Sequence, residues 1–343
     1  MDNLNEILEQ LLGGENLSAD QAETVMDHLM SGELDEAQIG AFLTALRSCG
    51  ETAREIAGFA RVMRNHAKSF DLSDSYRPLV DTCGTGGDSV ETINISTLSA
   101  LVAAGGGANV AKHGNRSVSS RCGSADLLEQ LGVQLELTPD QVKESIRETG
   151  IGFMYAPSFH ASMKHAIGPR KSIGIRTVFN LLGPLTNPAA ADRQLVGVFA
   201  PEWVRPVADA LSSLGVERAL VVHGTEGMDE ISPSTRTVYA EVEGEAVREG
   251  DFTPTDFGVD PIDLADIEGG GPEENERITR QLLGGAGPEA VETTIAINAG
   301  AVIYLSGEAP DLLSGVEAAR DSIQSGDAQR SLDQLVEFTQ SVA

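Results

Sequence analysis

The opening of the chain repeats one pattern three times: a residue able to cap a helix, then apolar residues three and four apart. Ser18 and Gln21 form a capping box ahead of Ala22, Val25, Met26 and Leu29. Asp35 starts a second stretch, Ile39, Phe42, Leu43 and Leu46, which stops at Gly50. Thr52 and Glu55 start a third, with Ile56, Phe59, Ala60 and Met63. Amphipathic helices with short connections predict a small helical bundle. No chemistry is visible in it; packing and dimer contacts are its expected work.

From Pro78 the pattern changes. Short apolar runs at Ala108–Ala111, Gly152–Ala156, Leu195–Ala200 and Ala219–Val222 alternate with helical patterns such as Ser96–Ala104, Ser124–Leu131 and Pro201–Leu214. This alternation predicts βαβ units and a largely parallel sheet covered by helices. The stretch from Tyr239 to Gly271, rich in Gly, Pro and Asp, reads as loops with a minor hairpin. Helices return at Glu273–Leu283 and Val291–Leu305. The expected fold is α/β: a small helical domain over residues 1–73 and a large α/β domain over 74–343, with helices near 165–190 rejoining the first.

Composition narrows the function. The chain has 343 residues, with 52 acids against 24 Lys plus Arg, a formal charge of −28. Such a surface repels nucleic acid and anionic membrane, so neither is an expected partner. The excess is uneven: Glu241–Ala343 carries 22 acids and 5 bases, whereas Val110–Arg176 carries 9 bases and 6 acids. An anion site therefore belongs in the middle third. The acidic excess also resembles the surfaces of proteins from salt-loving cells. Asp2, Glu6 and Glu9 give no basic start for a signal peptide, and no apolar run reaches the ~20 residues of a membrane span. Cys49, Cys83 and Cys122, odd in number and without C-x-x-C spacing, suggest neither disulfides nor zinc and fit a reducing cytoplasm.

Four clusters carry candidate chemistry. The first is Asp81-Thr-Cys-Gly-Thr-Gly-Gly-Asp88, glycines closing an extended run and leading toward a helix. It fits neither the dinucleotide pattern G-x-G-x-x-G nor a Walker loop, and taken alone it reads equally as a turn or a phosphate loop. The second is Lys112-His113-Gly114-Asn115-Arg116, continuing through Ser117, Ser119 and Ser120 to Gly123-Ser124-Ala125-Asp126. It offers hydroxyls, amides and a point charge at a second strand end. The third, Met228-Asp229-Glu230, suits Mg²⁺, which takes one or two carboxylates and completes its shell with water and phosphate oxygens. The fourth is His165 to Lys171, where Arg170 can pair with a planar carboxylate; the Val178–Pro184 run after it reads as helix packing and a helix stop.

In their order, these clusters together with Asn94-Ile95-Ser96-Thr97 and Phe179–Pro188 resemble the anthranilate phosphoribosyltransferase family. The resemblance spans Asp81 to beyond Glu230 and includes the helical start. It implies a fold similar to pyrimidine nucleoside phosphorylases and a homodimer joined through the helical domains. The implied substrates are phosphoribosyl pyrophosphate and anthranilate, with one or two Mg²⁺ per subunit. By likeness, Gly84, Thr85, Gly87 and Asp88 would hold pyrophosphate and ribose, with Thr92, Asn94, Ser96 and Thr97 beside them. Lys112, Asn115 and Ser124 would complete the phosphate grip, and Ser96, Asp229 and Glu230 would hold the metal. Arg170 would take the carboxylate of anthranilate, with Gly84, His113, Asn115 and Tyr155 around it. No protein nucleophile or general base is expected. Two departures are small: Cys122 stands before Gly123, and Gly168-Pro169 precedes Arg170. A pyrimidine nucleoside phosphorylase should carry a lysine near Thr82-Cys83, and none is there; a nucleic-acid-binding relative should be basic.

Overall fold

A computed structural model describes residues 4–88, 90–117 and 120–342. Asp2 and Ser119 lie outside the described residues. The helical start consists of α1 (Leu4–Leu12), α2 (Ala19–Met30), α3 (Glu36–Cys49) and α4 (Ala53–His66). Each N-cap anticipated for α2, α3 and α4 is in place: Ser18, Asp35 and Thr52 accept the amides of Gln21, Gln38 and Glu55, whose side chains reach back to the cap. Satisfying these otherwise orphaned N–H groups is what begins each helix where it begins.

The rest of the chain builds one seven-stranded sheet of order β3-β2-β1-β4-β5-β6-β7. Its strands are β1 (Leu79–Gly84), β2 (Asn109–Gly114), β3 (Ile151–Tyr155), β4 (Arg193–Gly197), β5 (Arg218–Gly224), β6 (Thr237–Glu243) and β7 (Ala246–Phe252). The first five are parallel, and β6 and β7 add an antiparallel edge. Between them run α5 (Ile95–Gly105), α6 (Ser124–Gln130), α7 (Pro139–Thr149), α8 (Ala156–Phe159), α9 (Lys164–Ile173), α10 (Phe179–Leu185) and α11 (Val204–Ser213). The chain closes with α12 (Pro272–Leu283), α13 (Glu289–Ser306), α14 (Leu312–Gln324) and α15 (Asp327–Ser341).

Successive strand residues face opposite layers, which is why the parallel strands read as unbroken apolar runs. In β5, Leu220 and Val222 join the core made with α5, α13 and α14, while Ala219 and Val221 join the core of α11 and the helical bundle. Ala166 of α9 and Leu181 and Leu182 of α10 are buried in that second core, and α9 packs on α3.

The stretch from Tyr239, expected to be loops with a minor hairpin, instead yields a full β6–β7 hairpin turned at Gly244. Its polarity misled because the edge strand β7 is wetted. Of β6, Thr237, Ala240 and Val242 are buried, with Tyr239 stacked on Phe252 at 4.0 Å. Helix α7 carries its own capping box, Thr138 with Gln141, and Pro139 in its first turn, yet the expectation passed over it.

The order places β1 between β2, which follows it, and β4, which comes back to its other side. The crevice beyond their carboxyl ends is where ligands sit in such sheets. At that end β1, β2, β4 and β5 all finish in glycine: Gly84, Gly114, Gly197 and Gly224.

Candidate active site

Two of those glycines are required by what lies on them. A β-carbon on Gly84 would stand 2.2 Å from Asp229 Oδ2, and one on Gly197 would stand 1.4 Å from the Asp229 carbonyl oxygen. Asp229, far away in sequence, is thus pressed onto the ends of β1 and β4. Beyond Gly84 the loop turns through Gly86 and Gly87, whose φ angles of 68° and 72° lie in the left-handed region. That turn aims the Gly86 N–H at Asp229 Oδ2, 2.7 Å away. Thr85 locks the loop to the neighbouring strand: its amide donates to Gly197 O and its hydroxyl accepts from Phe199 N–H, both at 3.0 Å.

The acids here are crowded, with the buried Lys112 ammonium drawing on Glu230. Among the described residues no Arg or Lys forms an ion pair with Asp88, Asp229 or Glu230. Burial, and Asp229 nearby, push the Asp88 carboxyl up to about 7. Burial raises Asp229 as well, and burial together with Asp229 raises Glu230 far above the usual range. Ionising all three in a low-dielectric crevice is unfavourable unless a cation joins them. Among the described residues no three His, Cys, Asp or Glu side chains converge into a complete cage. An all-oxygen set of two carboxylates and the Ser96 hydroxyl, needing ligand oxygens to complete it, fits Mg²⁺.

Lys112 is turned inward. It is only 2% exposed, and its ammonium donates to Thr82 O at 2.7 Å and reaches Ser96 Oγ at 3.4 Å. The strand's period of two explains this: Lys112 shares the face of Val110, toward α5, and so lies beneath the glycine loop rather than over it. Burial lowers its pKa, while Asp81 and Glu230 pull the other way.

Asn94 and Thr97 are also inward. The Asn94 amide donates to Cys122 O at 2.9 Å and accepts from Asn275 at 2.8 Å, so it ties the start of α5 to the second loop and to α12. Thr97 is buried, and among the described residues its hydroxyl has no partner. Thr92 is half-buried and pairs with Glu268. In the second loop Asn115 is exposed, its Oδ1 accepting the Arg116 N–H, and Ser124 opens α6. Asp126 already takes the amides of Ser117 and Gly123, each at 2.9 Å, so this loop offers fewer free donors than its sequence suggests.

A second pocket of chemistry centres on His113. It is 7% exposed, and its ring lies 5.1 Å from that of His160, a residue not singled out from sequence. Among the described residues Nε2 of each is buried without a partner, while the Gly183 and Thr186 backbone favours the protonated rings. Burial pushes His113 down to about 3 and His160 down to about 4, so both are neutral. Only their burial in one fold reveals the pair; no local spacing announces His160. Tyr155, half-buried at the end of β3, has the Arg116 guanidinium 5.7 Å from its ring. Arg170 is half-buried with its guanidinium 5.2 Å from the Phe179 ring. No carboxylate pairs with it among the described residues. The Phe179–Pro188 run does more than pack: besides Gly183, Asn187 donates to Asp81 Oδ2 and Ala111 O, both at 2.8 Å.

Residues 5–67 match the helical bundle domain of a glycosyl transferase family, and residues 76–329 match its α/β domain. An anthranilate phosphoribosyltransferase of Natronomonas pharaonis is 52% identical over 98% of this chain and 99% of its own length. The chain belongs to the anthranilate phosphoribosyltransferase family. The crystal structure of an anthranilate phosphoribosyltransferase from Thermus thermophilus matches with a TM-score of 0.91 at 46% identity, covering 97% of this chain and 99% of the other. The Saccharomyces cerevisiae anthranilate phosphoribosyltransferase in complex with PRPP (phosphoribosyl pyrophosphate) and Mg matches with a TM-score of 0.90 at 28% identity, over 98% of each chain. Membership accounts for the two-part architecture, a helical bundle followed by a mostly parallel α/β domain.

Proposed function

We propose that the crevice over β1 and β4 is where phosphoribosyl pyrophosphate and anthranilate meet. The protein transfers the 5-phosphoribosyl group to the amine of anthranilate, giving N-(5-phosphoribosyl)anthranilate and pyrophosphate, a step of tryptophan biosynthesis. The observation that carries the assignment of roles is Asp229, next to Glu230 in the chain, lying against the glycine loop with Gly86 donating to it.

Gly84, Thr85 and Gly87 hold the pyrophosphate through backbone amides, and Ser96 stands at the start of α5, a second source of donors. Asp88 faces the ribose, since a carboxylate beside pyrophosphate would repel it. Thr92, Asn94 and Thr97 support this wall, the last two by shaping the helix start. Asn115 and Ser124 close the far side. Asp229, Glu230 and Ser96 hold Mg²⁺, which supplies positive charge where pyrophosphate leaves. Lys112 serves from below, holding Ser96 and the Thr82 carbonyl in place.

Arg170 binds the carboxylate of anthranilate, with Gly84, Asn115, Tyr155 and the neutral His113 around the ring. An aromatic amine is uncharged near neutral pH, so its lone pair is free and no protein base is required. Loss of anthranilate fluorescence on adding phosphoribosyl pyrophosphate and Mg²⁺ tests the activity. In the same assay Arg170→Ala is expected to raise KM for anthranilate by roughly thirtyfold, the loss of a charge-assisted pair of about 2 kcal/mol. KM for phosphoribosyl pyrophosphate should hardly move, and the reverse pattern would reassign Arg170 to the phosphates.

The protein works in the cytoplasm as a homodimer joined through its helical domain. Two of the most exposed large apolar side chains, Leu12 on α1 and Ile167 on α9, sit on helices that both pack on α3. Among the described residues no helix is long and apolar enough to cross a membrane. The charge of −28 suits a salt-rich cell. Raising KCl from ~0.1 to ~2 M shrinks the screening length from ~10 Å to below ~3 Å, so the melting temperature should climb. A flat or falling melt would remove the salt reading, and sedimentation across the same series reads the assembly.

A further inference from the structure

Helix α13 is apolar through its middle: Ile295, Ala296, Ile297, Ala299, Ala301 and Val302 are all fully buried. Asn298 sits among them, equally buried. A primary amide there is unfavourable unless its hydrogen bonds are met, and asparagine is a poor helix former besides. Its partners therefore say what it is for. Oδ1 accepts the Ile231 N–H at 3.0 Å, and Nδ2 donates to Ile231 O at 3.0 Å and to Thr294 O at 3.0 Å. The side chain thus grips both backbone groups of one residue, as a neighbouring peptide would in a β ladder. Ile231 directly follows Glu230.

The acid loop is consequently held from two sides. The Asp229 carbonyl rests where a Gly197 β-carbon would be, and Gly224 N–H donates to Met228 O at 2.9 Å. On the other side, Asn298 fixes the chain one residue past Glu230. At about 3.5 Å of chain per residue, that leaves the two carboxylates little slack.

We infer that Asn298 is a positioning residue: its amide sets the height at which Asp229 and Glu230 meet the glycine loop, and so the affinity for a divalent cation with phosphoribosyl pyrophosphate. It touches no substrate. The inference rests on the reading of Asp229 and Glu230 as the cation-holding pair. Asn298→Leu keeps the shape and removes both contacts; Asn298→Asp keeps an acceptor for the Ile231 N–H and loses the donor.

The test is binding of Mn²⁺, in place of Mg²⁺, to the intact protein with phosphoribosyl pyrophosphate, read from the spin-resonance signal of free Mn²⁺. Asn298→Leu is expected to weaken Mn²⁺ at least tenfold, Asn298→Asp by less. Turnover should recover as Mg²⁺ is raised, with KM for anthranilate within about twofold of wild type. Loss of packing alone would not be repaired by the ion. Asp229→Asn serves as control. If it weakens Mn²⁺ and Asn298→Leu does not, the positioning role falls alone; if Asp229→Asn binds normally, the cation reading falls and takes this one with it. Should neither Asn298 variant fold, amide exchange in the wild-type protein decides. An Ile231 N–H exchanging as fast as an unstructured amide would overturn the clamp, and a strongly protected one would uphold it.

Discussion

Asp229→Asn combined with Glu230→Gln is expected to lower kcat/KM at least about a hundredfold at millimolar Mg²⁺, a loss of roughly 3 kcal/mol of transition-state stabilisation. Both replacements keep size and hydrogen-bonding capacity while removing charge; the amide oxygen introduced by Asp229→Asn can still accept the Gly86 N–H. Stability should move the opposite way. Burial raises both folded-state carboxyl pKa values above their unfolded ones. A raised carboxyl pKa means the unfolded chain ionises more readily, so each group destabilises the fold once pH exceeds its unfolded value. At neutral pH without Mg²⁺ the double variant should therefore melt no lower than the parent, and the difference should grow as pH rises from about 4 through neutrality. Initial rates across a Mg²⁺ titration, with melts on the same samples, check both halves. Wild-type turnover at every Mg²⁺ concentration would remove the metal assignment. Lost activity with a collapsed melt would instead make the pair structural.

This opposition of stability and activity marks where the sequence was readable. Local chemistry announces itself: the caps Ser18, Asp35 and Thr52, and the glycines that end β1 and lead into an α/β crevice, are legible because the cause lies within a few residues of the effect. The direction of Lys112 was also within reach, since it shares the face of Val110 by simple alternation. Other features are set by distant partners. Asn94 meets Asn275 across 181 residues, and Asp81 is met by Asn187 across 106. His160, just past α8, finds His113 only because β3 pairs alongside β2. The β6–β7 hairpin was expected only as a minor one for a different reason: one strand lies on a wet edge, so its composition is that of a loop.

Gly197→Ala should be among the most damaging single methyl additions in this protein. Gly197 does not adopt a left-handed φ, so conformational freedom is not what its position requires. Space is. Its β-carbon would lie 1.4 Å from the Asp229 carbonyl oxygen and 2.2 Å from the carbonyl carbon. Those are backbone atoms and cannot rotate aside, so the loop bearing both acids must lift or β4 must shift in its pairing with Gly84 and Val222. Either movement exceeds about an ångström, and displacement of that size at a reacting centre is commonly worth a hundredfold in rate. The added bulk itself should destabilise by about 1–3 kcal/mol. Gly84→Ala makes a useful contrast. Its β-carbon would meet the Asp229 carboxylate, 2.2 Å from Oδ2, and a side-chain end can swing away. The fold should then suffer less, while Mg²⁺ dependence worsens because the displaced group is the one proposed to hold the ion. Melts and Mg²⁺-dependent rates on the two variants separate these effects. A Gly197→Ala protein with wild-type kcat/KM would show that the acid loop need not rest on the ends of β1 and β4 for the reaction to proceed.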